Sequence, residues 1–231
     1  PLAAAMSDFA ALPEPLSLNE SMIYGTAGFT AALSIYRMEA NGLDAESGSV
    51  LVTGATGGVG SMAVAILANA GYNVVAATGK PDASEYLRSL GATAILSRED
   101  VHDDSARPLT KETWSGVVDS VGGNTLATAI AGTRYRGTIA TCGLVGSHEL
   151  ATTVYPFILR GISLLGIDSA NCPMSDKKAI WDKISKEWKV GCLDEIARPF
   201  GLENLEPEID RILNGQQTGR VVLAHSGVSN G

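Results

Sequence analysis

No apolar run in the 231 residues approaches the roughly 18 to 20 that a membrane span requires, so no stretch of the sequence reads as a bilayer helix. Pro1 to Leu12 place no basic segment ahead of an apolar one, and no secretory leader is legible there. Basic runs are missing too: 17 Lys and Arg are scattered among 25 Asp and Glu, for a formal net charge of −8. A chain that binds a phosphate backbone concentrates positive charge, so nucleic acid is excluded as the expected partner. Cysteine is sparse. Cys142, Cys172 and Cys192 are odd in number and lack the CxxC spacing of a zinc site, which predicts no metal, no disulfide framework and reduced thiols in the cytoplasm. Solenoid repeats and low-complexity tracts are absent. The sequence begins with Pro1 rather than Met, which leads us to expect a processed chain or a piece of a longer one.

What is present is hydrophobic residue, at 45%, and glycine, at 26 positions, enough for one substantial core. Residues 1–20 mix alanine with Pro13 and Pro15 and read as a linker or a remnant of another unit. From Ser21 a helix entered through a glycine-containing turn runs to Gly42. An alternation then follows: strand Ser49 to Thr53, helix Ser61 to Ala70, strand Asn73 to Thr78, helix Ala83 to Leu90 and strand Ala94 to Leu96. It continues as strand Gly116 to Asp119, helix Thr125 to Ala131, strand Gly137 to Cys142, helix Tyr155 to Arg160 and strand Ser163 to Ile167. Strands apolar on both faces, such as VLVT and NVVAA, belong in a parallel sheet covered by helices on each side. The fold class predicted is therefore α/β, a doubly wound parallel Rossmann sheet over residues 21–170, with ligands at the C-terminal strand ends. In residues 171–231, Ser175 to Lys189 and Leu205 to Leu213 read as amphipathic helices and Gly219 to His225 as a closing strand.

The strongest local signal is Val50 to Gly60, VLVTGATGGVG, an apolar strand entering a glycine loop and then an apolar helix. Gly54 permits the tight turn, Gly57 and Gly58 let backbone amides approach a pyrophosphate, and Gly60 lets the helix pack on the strand. The positive helix end faces the phosphates, so Thr56, Gly57, Gly58 and Val59 are the candidate pyrophosphate contacts. At the end of the second strand an NAD site places an acid for the ribose hydroxyl, whereas here the residues are Thr78, Gly79 and Lys80. With no carboxylate to repel it, a 2′-phosphate gains hydrogen bonds and charge compensation, which favours NADPH; Arg98 after the third strand is placed to flank the adenine or its phosphate. Lys80 read alone is equally a solvated turn lysine.

Several strings exceed this generic fingerprint: GTAGFTAAL, EYLRSLGA, RPLTKETW, CGLVG and PFILRGISLLGIDS. In this order, with the glycine loop, they resemble the YhdH/AcuI group of medium-chain dehydrogenase/reductases, the acrylyl-CoA reductases that are quinone oxidoreductase-like, over about residues 21 to 223. The resemblance implies a zinc-independent, NADPH-using enzyme that reduces the carbon–carbon double bond of a short 2-enoyl-CoA or a quinone-like acceptor. It adds cofactor contacts at Leu144, Ile158, Ser169 and Asn214 to those already named. Ile158 taken alone reads as core. Members more often carry Arg at the position of Lys80; lysine keeps the charge but loses the bidentate fork, which weakens selectivity for NADPH. Members also carry an upstream GroES-like catalytic domain, so most of that domain is expected to lie outside this sequence, with residues 171–231 returning to it. A homodimer through the strand at Ile162 to Ile167 is implied as well.

No Ser–His–Asp set or poised carboxylate pair is legible, and no catalytic residue is nominated. Asp119 reads as a structural strand-end acid, Tyr24 and Thr26 as either nicotinamide neighbours or a buried tyrosine and a cap, and His102, His148 and His225 as without role. The alternative to a reductase is a non-catalytic NADPH-binding or interaction module.

Overall fold

The structure, a computed structural model, describes residues 11–105 and 107–224. Pro1 to Ala10 of the expected linker, and His225 of the expected last strand, lie outside the described residues.

Helix α1, Leu18–Ala40, begins earlier than the sequence reading placed it. Ser17 caps it: its hydroxyl accepts from Glu20 N while the Glu20 carboxylate accepts from Ser17 N, a reciprocal capping box. The glycine expected in an entry turn is a kink instead, since Gly25 sits inside the helix at φ 47° and ψ −153°. Strand β1, Ser49–Val52, follows, then α2, Gly58–Asn69, and β2, Asn73–Thr78. Helix α3 covers Ser84–Ser89, β3 Ala94–Ser97, β4 Trp114–Asp119, α4 Gly123–Gly132 and β5 Thr133–Thr141. Helix α5, Tyr155–Arg160, leads into β6, Ser163–Gly166.

The six strands pair in the order β3-β2-β1-β4-β5-β6, every pair parallel. This is the doubly wound arrangement, in which the order reverses between β1 and β4. Both faces are covered, as the near-continuous apolar strands require. Val50 and Val52 face one cluster with α1 and α2, while Leu51 between them faces the other with Leu126, Ala129 and Ile130 of α4. Strand β5 is longer than expected because Arg134 and Arg136 interrupt the apolar pattern, and a register shift opposite Trp114 and Gly116 accommodates them.

Helix α6, Met174–Ser185, stops short of the expected Lys189, and Lys186 leaves helical geometry at φ −122° and ψ −99°. Two elements were not foreseen: α7, Leu193–Ile196, and β7, Ala197–Phe200. Strand β7 pairs in parallel with β8, Arg220–Leu223, across the amphipathic helix α8, Leu205–Leu213. Strand β8 falls within the closing strand expected over Gly219 to His225, whereas β7, whose partner lies far along the sequence, carries no local signal of its own. Buried Ile180, Ile184, Trp188 and Ile196 join the α1–α2 cluster, so this last segment shares its core with the sheet. No helix among the described residues is long and apolar enough to cross a membrane.

Candidate functional site: a cleft at the strand ends

A cleft of about 920 Å³ opens where β1, β2 and β4 end, at the reversal of strand order. Its floor is the glycine loop. Gly54 turns at φ 61°, and a Cβ there would stand 2.4 Å from Ser120 Oγ. Gly57 N–H donates to Gly54 O at 2.9 Å, and a Cβ on Gly60 would lie 2.3 Å from that same carbonyl, so α2 sits directly against the loop. The unpaired amides at the start of α2 thus face the cleft with the positive helix end behind them.

Of the residues named from sequence, Thr56, Gly57, Gly58, Thr78, Gly79, Lys80 and Arg98 all line this cleft. Thr56 Oγ1 and Thr78 Oγ1 are 3.1 Å apart, and Lys80 N donates to Thr78 Oγ1 at 3.1 Å, tying the loop to the β2 turn. The Arg98 guanidinium lies over Gly79, where a Cβ would meet Nη2 at 2.5 Å and push the arginine aside. No carboxylate stands in the β2 turn, whose residues are Thr78, Gly79 and Lys80.

The remaining candidates fall elsewhere. Val59 turns inward and packs on the α1–α2 cluster. Leu144 is 65% exposed, and its neighbours Val145, Gly146 and Ser147 line the cleft in its place. Ile158 is 73% exposed on α5, which corrects the core reading of that residue: α5 is a short surface helix with only Pro156 buried. Ser169 accepts from Thr30 Oγ1 at 2.9 Å beside α1, and Asn214 ends α8 with its amide donating to Asp210 O at 2.8 Å. None of these five lines the cleft.

Other readings resolve structurally. Tyr24 is fully buried, its hydroxyl accepts Val190 N–H at 3.0 Å, and burial pushes its pKa up to about 12. Asp119 is equally buried; it accepts from Thr53 Oγ1 at 2.7 Å and Gly122 N at 3.0 Å, holding the β1 and β4 loops together. Burial likewise raises the Cys142 thiol to about 11, leaving it an inert packing group. His102 lines the cleft against Asp104, at 2.9 Å, where no role was foreseen.

The sequence reading also missed Arg220. At the start of β8 its guanidinium reaches the glycine loop, 3.4 Å from where a Cβ on Gly58 would stand, and the Gly25 kink makes room for it at 2.7 Å by the same measure. Its Nε is buried without a partner, and burial alone disfavours its charge. A half-buried cation with an unpartnered Nε, beside the amides at the start of α2, suits an anionic group in this part of the cleft.

Comparison with known proteins fits this geometry. The zinc-binding dehydrogenase family model matches residues 58–186, more than half of the sequence. The chain belongs to this family. Acrylyl-CoA reductase AcuI of Ruegeria pomeroyi is 46% identical over 212 residues, 92% of this chain and 64% of that protein. The crystal structure of the YhdH oxidoreductase from Salmonella enterica in complex with NADP superposes with a TM-score of 0.91 at 41% identity, over 94% of this chain and 66% of that one. The Bacillus subtilis protein YhfP with NAD bound gives a TM-score of 0.91 at 51% identity, over 94% and 66% respectively. The chain thus spans 64% of the length of this AcuI relative. Despite the family's description, no three His, Cys, Asp or Glu side chains among the described residues gather as metal ligands would, so the residues present do not fit zinc and no step is routed through it.

Proposed function

We propose that this chain is the coenzyme-binding part of a cytoplasmic NADPH-dependent reductase acting on the carbon–carbon double bond of a short 2-enoyl-CoA such as acrylyl-CoA, or on a quinone-like acceptor. The observation that carries this reading is the cleft's charge: Lys80, Arg98 and Arg220, whose Nε has no partner, converge on it with no carboxylate in the β2 turn. The cleft suits a dinucleotide. The amides at the start of α2, from Gly58, with Arg220 would hold the pyrophosphate, Gly57 lets it approach closely, and Thr78, Gly79, Lys80 and Arg98 would hold the 2′-phosphate. Leu144, Ile158, Ser169 and Asn214 remain proposed contacts whose place is outside the cleft as it stands. When bound, the nicotinamide supplies hydride; this chain's residues bind and orient it. AcuI and YhdH, named for acrylyl-CoA reduction and for NADP, support the substrate class and the coenzyme.

We read residues 21–170 as the coenzyme unit and 171–231 as the return toward a catalytic domain. The three free thiols support a reducing compartment. A homodimer is part of the proposal: β6 is an edge strand, and Tyr155, Ile158 and Leu159 stand exposed on the helix before it.

The test is a titration of the purified chain with NADPH and NADH by nicotinamide fluorescence, followed by addition of acrylyl-CoA. Tight NADPH binding with loss of reduced cofactor supports the reductase. Binding without turnover supports a coenzyme part awaiting its catalytic domain, and no binding of either nucleotide overturns the reading.

A further inference from the structure

The Lys80 ammonium already has acceptors. It donates to the carbonyl of Gln217 at 2.6 Å and to Thr218 Oγ1 at 3.1 Å, while burial disfavours its charge. Both acceptors lie in the strap Gly215–Gly219 that joins α8 to β8. Gly215, Gln217 and Gly219 line the cleft, and Gly219 N–H donates to Thr56 O at 2.9 Å. Gly219 can run so close because it is glycine: at φ 63° a Cβ would stand 2.2 Å from Ile196 O. The strap is thereby fixed at one point to the glycine loop and at another to the β2 turn. The lysine has three N–H donors, of which the strap takes two. Its acceptors are neutral, so its charge remains to be satisfied by an anion on the cleft side.

We propose that Thr218, with the Gln217 carbonyl, is a positioning residue for coenzyme choice: the strap holds the Lys80 ammonium so that a 2′-phosphate takes its remaining N–H, and the phosphate in turn pins the strap. This rests on the coenzyme reading given above and deepens it. NADPH and NADH differ only in the 2′-phosphate, which Lys80 contacts together with Thr78, Gly79 and Arg98, so a group acting through Lys80 moves the ratio of their affinities, whereas a loop contact of purely structural value moves both together or neither. The arrangement also couples occupancy of the phosphate position to the anchoring of β8, which carries Arg220 at its first residue.

The experiment measures NADPH and NADH dissociation constants for the wild type, Thr218→Val, Thr218→Ser and Lys80→Met, with amide hydrogen exchange at 215–219. One lost hydrogen bond to a charged group predicts that Thr218→Val weakens NADPH roughly threefold to tenfold and leaves NADH unchanged, with Thr218→Ser restoring the wild-type ratio. Exchange in the strap is expected to slow more with NADPH than with NADH in the wild type, and equally with both in Lys80→Met. A Thr218→Val protein that changes both affinities equally, or neither, overturns the proposal, as does strap exchange indifferent to the 2′-phosphate. If the wild type binds neither nucleotide, the coenzyme reading falls and takes this one with it. NADPH binding untouched by Thr218→Val removes only the strap's role.

Discussion

Arg220 carries a cost in the free protein, because it is half-buried and its Nε, shut away from solvent, has no partner to replace hydration. Arg220→Met keeps the apolar stem and removes that cost. The expected outcome is a melting temperature equal to or above the wild type, with NADPH and NADH both weakened tenfold or more, since a charge-assisted contact to phosphate is worth about 2 kcal/mol. Calorimetry together with a nucleotide titration checks it; loss of stability with affinity intact would refute the assignment. The common effect on both nucleotides separates Arg220 from Lys80. Tyr24 gives a second outcome at this scale. Its hydroxyl is buried and its pKa pushed up from 10 to about 12, so the native state holds a proton that the unfolded chain releases first. Folding stability is accordingly full below pH 10 and falls as pH rises from 10 toward 12; Tyr24→Phe flattens that part of a chemical-denaturation pH profile. The role of Arg220 was not legible in the sequence, and for Tyr24 a buried tyrosine was one of two open readings. Arg220 acquires meaning only when β8 returns to Gly25 and Gly58, and Tyr24 when Val190 offers its amide.

At the scale of elements, glycine and apolar pattern decided most of what could be read. The run from Val50 to Gly60 specified a strand, a loop and a helix in order, and the structure has all three. Where patterning failed, a local signal was outweighed or missing. The Ser17 to Glu20 capping box is a written motif, but Pro13 and Pro15 beside it suggested a linker, and the helix start was placed late. Strand β7 is four residues long and depends on a partner across α8, the strand β8 that the pattern did mark. Gly60 supplies the prediction here. Alanine in a helix interior is favoured over glycine by up to about 1 kcal/mol, but a Cβ 2.3 Å from Gly54 O forces the helix off the loop, and such overpacking costs about 1–3 kcal/mol. Gly60→Ala is therefore expected to be destabilising in urea denaturation despite the better propensity, and to weaken nucleotide binding by displacing the α2 amides.

Taken whole, the molecule exposes apolar surface on one side of the sheet that its monomer does not use. Ile158 and Leu159, 73% and 58% exposed, stand on the helix leading into the edge strand β6. Sedimentation of the wild type at micromolar concentration is expected to show a dimer, and Ile158→Lys with Leu159→Lys a monomer; a monomeric wild type would count against self-association through this edge. The same exposed residues explain a limit of the sequence reading. A surface helix whose apolar side faces outward has the pattern of a core helix, so Ile158 read as buried.

Helix α1 is the first element of the described chain, yet much of what buries it comes last. Tyr24 is capped by Val190, its ring meets Trp181 edge-on at 6.3 Å, Phe29 stacks on Trp181 at 6.2 Å, and Glu20 pairs with Lys189 at 2.8 Å. During synthesis these partners emerge on the order of ten seconds after α1 itself. The helix Gly58–Asn69 and the sheet can pack on α1 early in that interval, but the face that takes Trp181 and Lys189 closes last. A chain that ends before Trp181 therefore leaves this face of α1 open to solvent.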